Sequence, residues 1–202
     1  LNLSLYSMAI NLSDIRLELI SQYEYLLNSG IFITHIDSHQ HMHMNPKIFK
    51  IVADFAKDLN IPVRIAFPQV IRRKKGTLNY NKRFKQFLLN YAALENMEYA
   101  NKISVRFNKS FNSIFDFHPF QMPTENDYFE LIESSKSNFH ELMVHTFKES
   151  KELVEFYSNK YNKKMDFFNK SQAETNILSK KNIFKSYAKT TYVCRGVCCK
   201  LS

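Results

Sequence analysis

I-F-I-T-H-I-D-S-H-Q-H-M-H, residues 31–43, carries His35, Asp37, His39, His41 and His43 at alternate positions after a short apolar run. In an extended strand successive side chains point to opposite faces, so these five ionisable groups would share one face, with Thr34 and Ile36 on the other. Neutral imidazole and carboxylate are the usual ligands of zinc and similar divalent ions, with a carboxylate-bonded imidazole nearby to set the tautomer. A His-rich solvated turn is the plainer reading. Four of the chain's seven histidines fall within this run, however, and that concentration favours a metal-dependent enzyme.

Helical and extended patterns alternate around the motif. Ser13 can cap a helix whose apolar positions Ile15, Leu19, Ile20, Tyr23, Leu26 and Leu27 keep the helical period, and Gly30 stands where it should stop. A strand over Ile31 to Asp37 follows. Asn45 and Pro46 then suit an N-cap and first helical position, before the apolar stripe Ile48, Ile51, Val52, Phe55, Ala56 and Leu59. That helix should stop near Asn60, and Val63 to Phe67 reads as a short strand. The order helix, strand, helix, strand predicts an α/β protein with a parallel sheet, which puts the histidines at the C-terminal edge where such sheets bind ligands.

Further along, Tyr80 to Asn101 reads as a helix and Ile103 to Phe107 as a strand, with an aromatic-rich loop over Phe111 to His118. Thr124 with Asp127 resembles a capping box that opens a helix over Glu125 to Ser135. His140 to His145 reads as a strand, Lys148 to Tyr161 as an amphipathic helix and Ser171 to Leu178 as a short one. His145 would be a second polar group at the same sheet edge.

At 202 residues and 45% hydrophobic content, with 3 Gly and 5 Pro, the chain fits a single α/β domain over residues 1–190 and a tail over 191–202. No run approaches the roughly 20 apolar residues of a membrane span. Leu1 to Ile10 has neither a basic n-region nor a small-residue cleavage site, so a cytoplasmic setting is expected. The net charge of +9 is mostly scattered lysine, which reads as a solvated surface; Arg72, Arg73, Lys74 and Lys75 form the one dense cluster, and no nucleic-acid partner is expected. Three cysteines, Cys194, Cys198 and Cys199, cannot form a fully paired disulfide framework and carry no assigned function.

The segment T-H-I-D-S-H-Q-H-M-H-M-N-P-K-I-F-K-I-V-A-D-F-A-K-D-L-N-I-P-V-R, residues 34–64, resembles the signature of the YdjC-like, or ChbG-type, carbohydrate deacetylases. It joins the Asp-Ser-His-x-His-x-His run, the Pro-led helix and Val63-Arg64, and E-L-M-V-H at Glu141 to His145 resembles the family's second such strand. The family usually continues there with Pro and Gly, where this chain has Thr146 and Phe147. The resemblance implies a partial, distorted (β/α) barrel that removes acetyl groups from N-acetylated amino sugars or oligosaccharides, using a divalent metal (Mg2+ or Zn2+) held by one Asp and two His. Carried over by position, His39 matches the metal ligand and His41, His43 and Arg64 the substrate-binding groups. The catalytic residues are then Asp37, which would bond an imidazole, and His145, which would protonate the leaving amine. The family's Asp-Asp pair and a further metal histidine are expected upstream of Leu1, so the chain is expected to be N-terminally incomplete and to lack the first metal ligands and the general base. The alternative is a truncated, inactive or sugar-binding member of the family, and exposed sheet edges in a partial barrel would favour homo-oligomers.

Overall fold

In the computed structural model, which describes residues 11–67, 80–114, 122–133, 140–146, 150–160 and 165–180, three helices end on the same stereochemical device. They are α1 (Leu12–Asn28), α2 (Pro46–Asp58) and α3 (Tyr80–Ile103). Past each cap one residue turns left-handed: Gly30 at φ 71°, Asn60 at 54° and Ser104 at 61°. The Gly30 and Ile31 N–H groups then donate back to the Leu27 and Leu26 carbonyls, each at 2.9 Å. Asn60 and Ile61 do the same to Lys57 and Ala56, both at 3.0 Å, and Ser104 and Val105 to Asn101 and Ala100 at 3.1 and 3.0 Å. This is the Schellman closure, with an apolar residue (Ile31, Ile61, Val105) as the second donor each time. It satisfies the last helical carbonyls and sends the chain out extended.

Those exits line up in parallel. Ile36 bridges Val63, and Val63 bridges Phe107. The bonds run from Ile36 N–H to Pro62 C=O (3.0 Å), Arg64 N–H to Ile36 C=O and Val63 N–H to Arg106 C=O (both 2.9 Å). Ile36, Val63, Ile65, Ala66 and Phe107 are buried. Helix α2 packs on α1 and α3 and buries Ile48, Phe49, Val52, Ala53, Phe55 and Ala56. Tyr23 of α1 meets Phe55 edge-on at 5.7 Å. The N-termini of α1 and α2 are capped by asparagine: Asn11 Oδ1 accepts Ser13 N–H (3.2 Å) and Asn45 Oδ1 accepts Lys47 N–H (3.0 Å), with Pro46 in the first turn. Ser13, expected to be the cap of α1, is thus its second helical residue; the amide one turn edge earlier reaches the free N–H first.

The described residues fall into two compact units, 11–67 with 80–109 and then 110–180. In the second, β1 (Ser110–Ser113) pairs in parallel with β2 (His140–Met143), Ser110 opposite His140 and Ser113 opposite Met143. Part of the expected aromatic loop is therefore a strand. All four β1 residues are buried, so Ser110, Asn112 and Ser113 show none of the apolar alternation by which a half-exposed strand is recognised. Residues 115–120, including Asp116 and His118, lie outside the described residues, as do Arg72 to Lys75 and the cysteine tail. Helix α4 (Glu125–Glu133) opens on the expected box, with Asp127 Oδ2 accepting both the Thr124 N–H and Oγ1–H at 2.7 Å. Helices α5 (Lys151–Lys160) and α6 (Met165–Leu178) complete the unit, α6 starting six residues before the expected Ser171. Ile114, Tyr128 and Leu131 form its core with Leu142, Ile177 and Leu178 packed against them. The alternation of helices with parallel segments is α/β. Among the described residues no helix is long and apolar enough to cross a membrane.

Candidate functional site

The extended chain that begins at Ile31 ends sooner than its alternating histidines imply. Ile36 is the bridged residue, and His39–Met44 winds into a 3₁₀ turn with Ser38 as its N-cap. Within it Gln40 (φ 52°, ψ 25°) and His41 (φ 58°, ψ 35°) are both left-handed without being glycine, a conformation that costs on the order of 1 kcal/mol or more per residue. The expectation of five ionisable groups on one strand face is therefore overturned. Period-two reasoning holds only while the backbone stays extended, and the chain must reverse here to start α2 at Pro46.

The reversal sorts the three histidines. His39 is exposed, His41 is half-buried and His43 is fully enclosed. His43 Nε2 lies 2.7 Å from the Arg64 carbonyl, which can only accept, so Nε2 carries the proton. Nδ1 then accepts from the Ser38 hydroxyl at 2.6 Å, while Ser38 Oγ takes the His43 main-chain N–H at 2.9 Å. With both nitrogens engaged inside the protein, His43 is not placed to touch substrate, contrary to expectation. It ties the segment after Ile36 to the one after Val63. Beside it, Arg64 Nη1 pairs with Asp37 Oδ2, the two side chains being 11% and 10% exposed. Asp37 Oδ1 is buried, has no hydrogen bond among the described residues and lies 3.9 Å from His43 Nδ1. Asp37 and Arg64 are thus brought together by adjacent parallel segments, as their positions after Ile36 and Val63 require.

Buried amides support this turn. Asn96 Nδ2 on α3 donates to the Met44 carbonyl (3.0 Å), and Asn108 grips Ile65 at both ends, accepting its N–H at 2.7 Å and donating to its C=O at 2.9 Å. Sequence reasoning missed both residues, because nothing local marks a surface-type amide as buried. A groove lined by Tyr23, Leu26, Ile31, Thr34 and His35 opens beside Asp37.

His145 belongs to the second unit. Its main-chain N–H donates to Glu174 Oε2 at 2.5 Å, and its ring meets Phe167 edge-on at 5.5 Å. Glu174 is fully buried and its other oxygen accepts the Tyr128 hydroxyl at 2.6 Å. Burial raises the Glu174 carboxyl above the ordinary glutamate range, and burial together with the Glu174 bond and charge raises the Tyr128 phenol. In sequence, Ser171 to Leu178 marks only a short helix. Its sole signal was a carboxylate on the buried face.

Ser110 Oγ sits 2.7 Å from His140 Nδ1, and burial lowers the His140 pKa below its ordinary 6.5. A histidine depressed in the folded state contributes stability that is complete above the ordinary value and lost as pH falls through it, because the unfolded chain takes up the proton first. The stability advantage of the native chain over His140→Asn should therefore shrink as urea unfolding is repeated at pH values descending from 6.5. A constant difference would refute the buried neutral imidazole.

Among the described residues no three His, Cys, Asp or Glu side chains converge to hold a metal ion. His43 is consumed by its two bonds and one Asp37 oxygen by Arg64. These residues do not by themselves fit the divalent centre that the resemblance implies.

A family model described as YdjC-like protein matches residues 2–189. A carbohydrate deacetylase of Clostridium beijerinckii is 47% identical over 53 residues, 26% of this chain and 22% of that protein. A chitooligosaccharide deacetylase of Escherichia fergusonii is 52% identical over 58 residues (28% and 23%), and a carbohydrate deacetylase of Geobacillus stearothermophilus 41% over 51 residues (25% and 21%). The matched stretches span less than a quarter of the length of these relatives.

Proposed function

We propose, because this chain belongs to the YdjC-like protein family, that it is a carbohydrate deacetylase acting on N-acetylated amino sugars or oligosaccharides. The observation that carries the reading is the Asp37–Arg64 pair locked to the His39–Met44 turn at the end of a parallel segment. Similarity to relatives named for carbohydrate and chitooligosaccharide deacetylation supplies the substrate class. A distorted (β/α) barrel is the architecture proposed with it.

The reaction is hydrolysis of an acetamide: a water oxygen bonds to the acetyl carbon, the C–N bond breaks, and acetate leaves as the sugar nitrogen takes a proton. Arg64 fixes one oxygen of Asp37, whose other oxygen lies 3.9 Å from His43 Nδ1, and Asp37 is proposed to serve the reaction by orienting the imidazoles of the turn. Arg64 and His41 are proposed to contact the sugar, and His145 to protonate the departing amine. His43 is assigned to holding the turn. His39 is the exposed imidazole of the turn and is proposed as one donor to Mg2+ or Zn2+; further donors are needed, and no step is routed through the ion.

The test is acetate release from N-acetylglucosamine oligomers with and without added zinc or magnesium. His39→Ala should abolish metal-dependent release while changing unfolding free energy by less than about 0.5 kcal/mol, since its side chain is exposed. Undiminished turnover in that variant removes the ligand assignment. Oligomer binding with no acetate released under either condition would replace the enzyme by a sugar-binding member of the family.

A further inference from the structure

Helix α6 holds the end of β2 at two points seven residues apart, which places both on one helical face. Phe167 packs edge-on against the His145 ring, and Glu174 accepts the His145 main-chain N–H. His145 lies two residues past Met143, the last residue of β2, so its N–H has left the strand ladder and finds its acceptor in a side chain. The acceptor is itself fixed: Glu174 is 0% exposed, and its second oxygen is occupied by the hydroxyl of Tyr128, whose ring belongs to the Ile114–Leu131 core. A wholly buried carboxylate is costly unless its oxygens are satisfied. Here both are, one by the core and the other by the main chain that carries His145.

We infer that Glu174 is a positioning residue for His145, anchoring the backbone of this histidine to the Tyr128 core so that its imidazole is presented in one orientation against Phe167. This rests on the reading of His145 as the group that protonates the leaving amine. A proton donor works only within hydrogen-bond reach of the departing nitrogen, and displacement of a catalytic group by about 1 Å can cost on the order of 100-fold in rate. Glu174 touches neither substrate nor the reacting atoms. Its effect passes through the His145 backbone, so it belongs to kcat rather than to substrate affinity.

The experiment combines amide hydrogen exchange with kinetics on the full chain. In the native protein the His145 amide should be protected although it lies beyond the strand, and this needs no variant. Glu174→Met keeps length and helix propensity but offers no carboxylate acceptor. It should lose His145 protection while the amides of the β1–β2 ladder keep theirs, and kcat for acetate release should fall roughly 10- to 100-fold with KM within about twofold. Glu174→Gln retains one carbonyl acceptor and should restore both protection and kcat to within about threefold of native. An unprotected His145 amide in the native chain overturns the proposal, as does native-like protection in Glu174→Met or a kcat loss that Gln does not rescue. A native chain that protects His145 yet releases no acetate fails the deacetylase reading, and with it the kinetic consequence; exchange in the Glu174 variants still decides the anchor.

Discussion

His43→Ala is expected to lower unfolding free energy by about 3 kcal/mol, combining the cost of a core cavity with that of groups left unsatisfied. The ring is 0% exposed and leans on Phe49 with centroids 6.5 Å apart, so its removal opens a void in a region of close packing. It also removes the His43 donor from the Arg64 carbonyl and the His43 acceptor from the Ser38 hydroxyl, in a place that water does not freely reach. The loss should appear as a lower urea midpoint with an unchanged slope. His39→Ala is the control: the two histidines are four residues apart in one motif, yet only the second should matter to stability. Equal midpoints for the two variants would overturn the assignment of His43 to the interior.

Arg64→Met is expected to cost a further effect of similar size by a different route. Asp37 is 10% exposed, and Arg64 is the group that neutralises it, so removing the guanidinium strands a carboxylate in a poorly solvated site at about 3 kcal/mol. Acetate release should fall by about 100-fold, as expected when the group that positions Asp37 and contacts the sugar is lost. The double variant Asp37→Asn with Arg64→Met removes both charges and should recover part of the stability while remaining inactive. A double-mutant cycle on unfolding free energies would show a coupling above about 1 kcal/mol. Additive effects would mean that the two side chains do not act as a pair.

The local signals were legible because they depend on neighbours in the chain. Asn45-Pro46 announces a helix start, since one side chain caps and the next residue needs no donor, and α2 begins at Pro46. Gly30 marks the end of α1, and Thr124 with Asp127 opens α4, by the same logic of satisfying terminal N–H and C=O groups. The pairing of Asp37 with Arg64 was not legible, because it depends on two extended segments lying side by side. What misled was the alternation of histidines. Their even spacing matched a strand, but Ser38 caps the turn instead, and Gln40 and His41 take left-handed conformations that a sequence without glycine does not advertise.

Several buried polar contacts join residues far apart in the chain, and no periodicity encodes them. Glu174 reaches the His145 main chain across 29 positions, and Asn108 reaches Ile65 across 43. Each involves a polar side chain whose burial depends on what the rest of the chain packs around it, because the same residue in water would gain little from the bond. From its sequence alone this chain was determined to be a YdjC-like α/β protein, with capped helices feeding parallel segments and an Asp-Ser-His-x-His-x-His motif at the end of one. Only tertiary structure decided that His43 is interior, that His39 faces solvent and that Glu174 holds His145. Capping and chain reversal are local stereochemistry, whereas burial and the partner of a buried polar group belong to the packed whole.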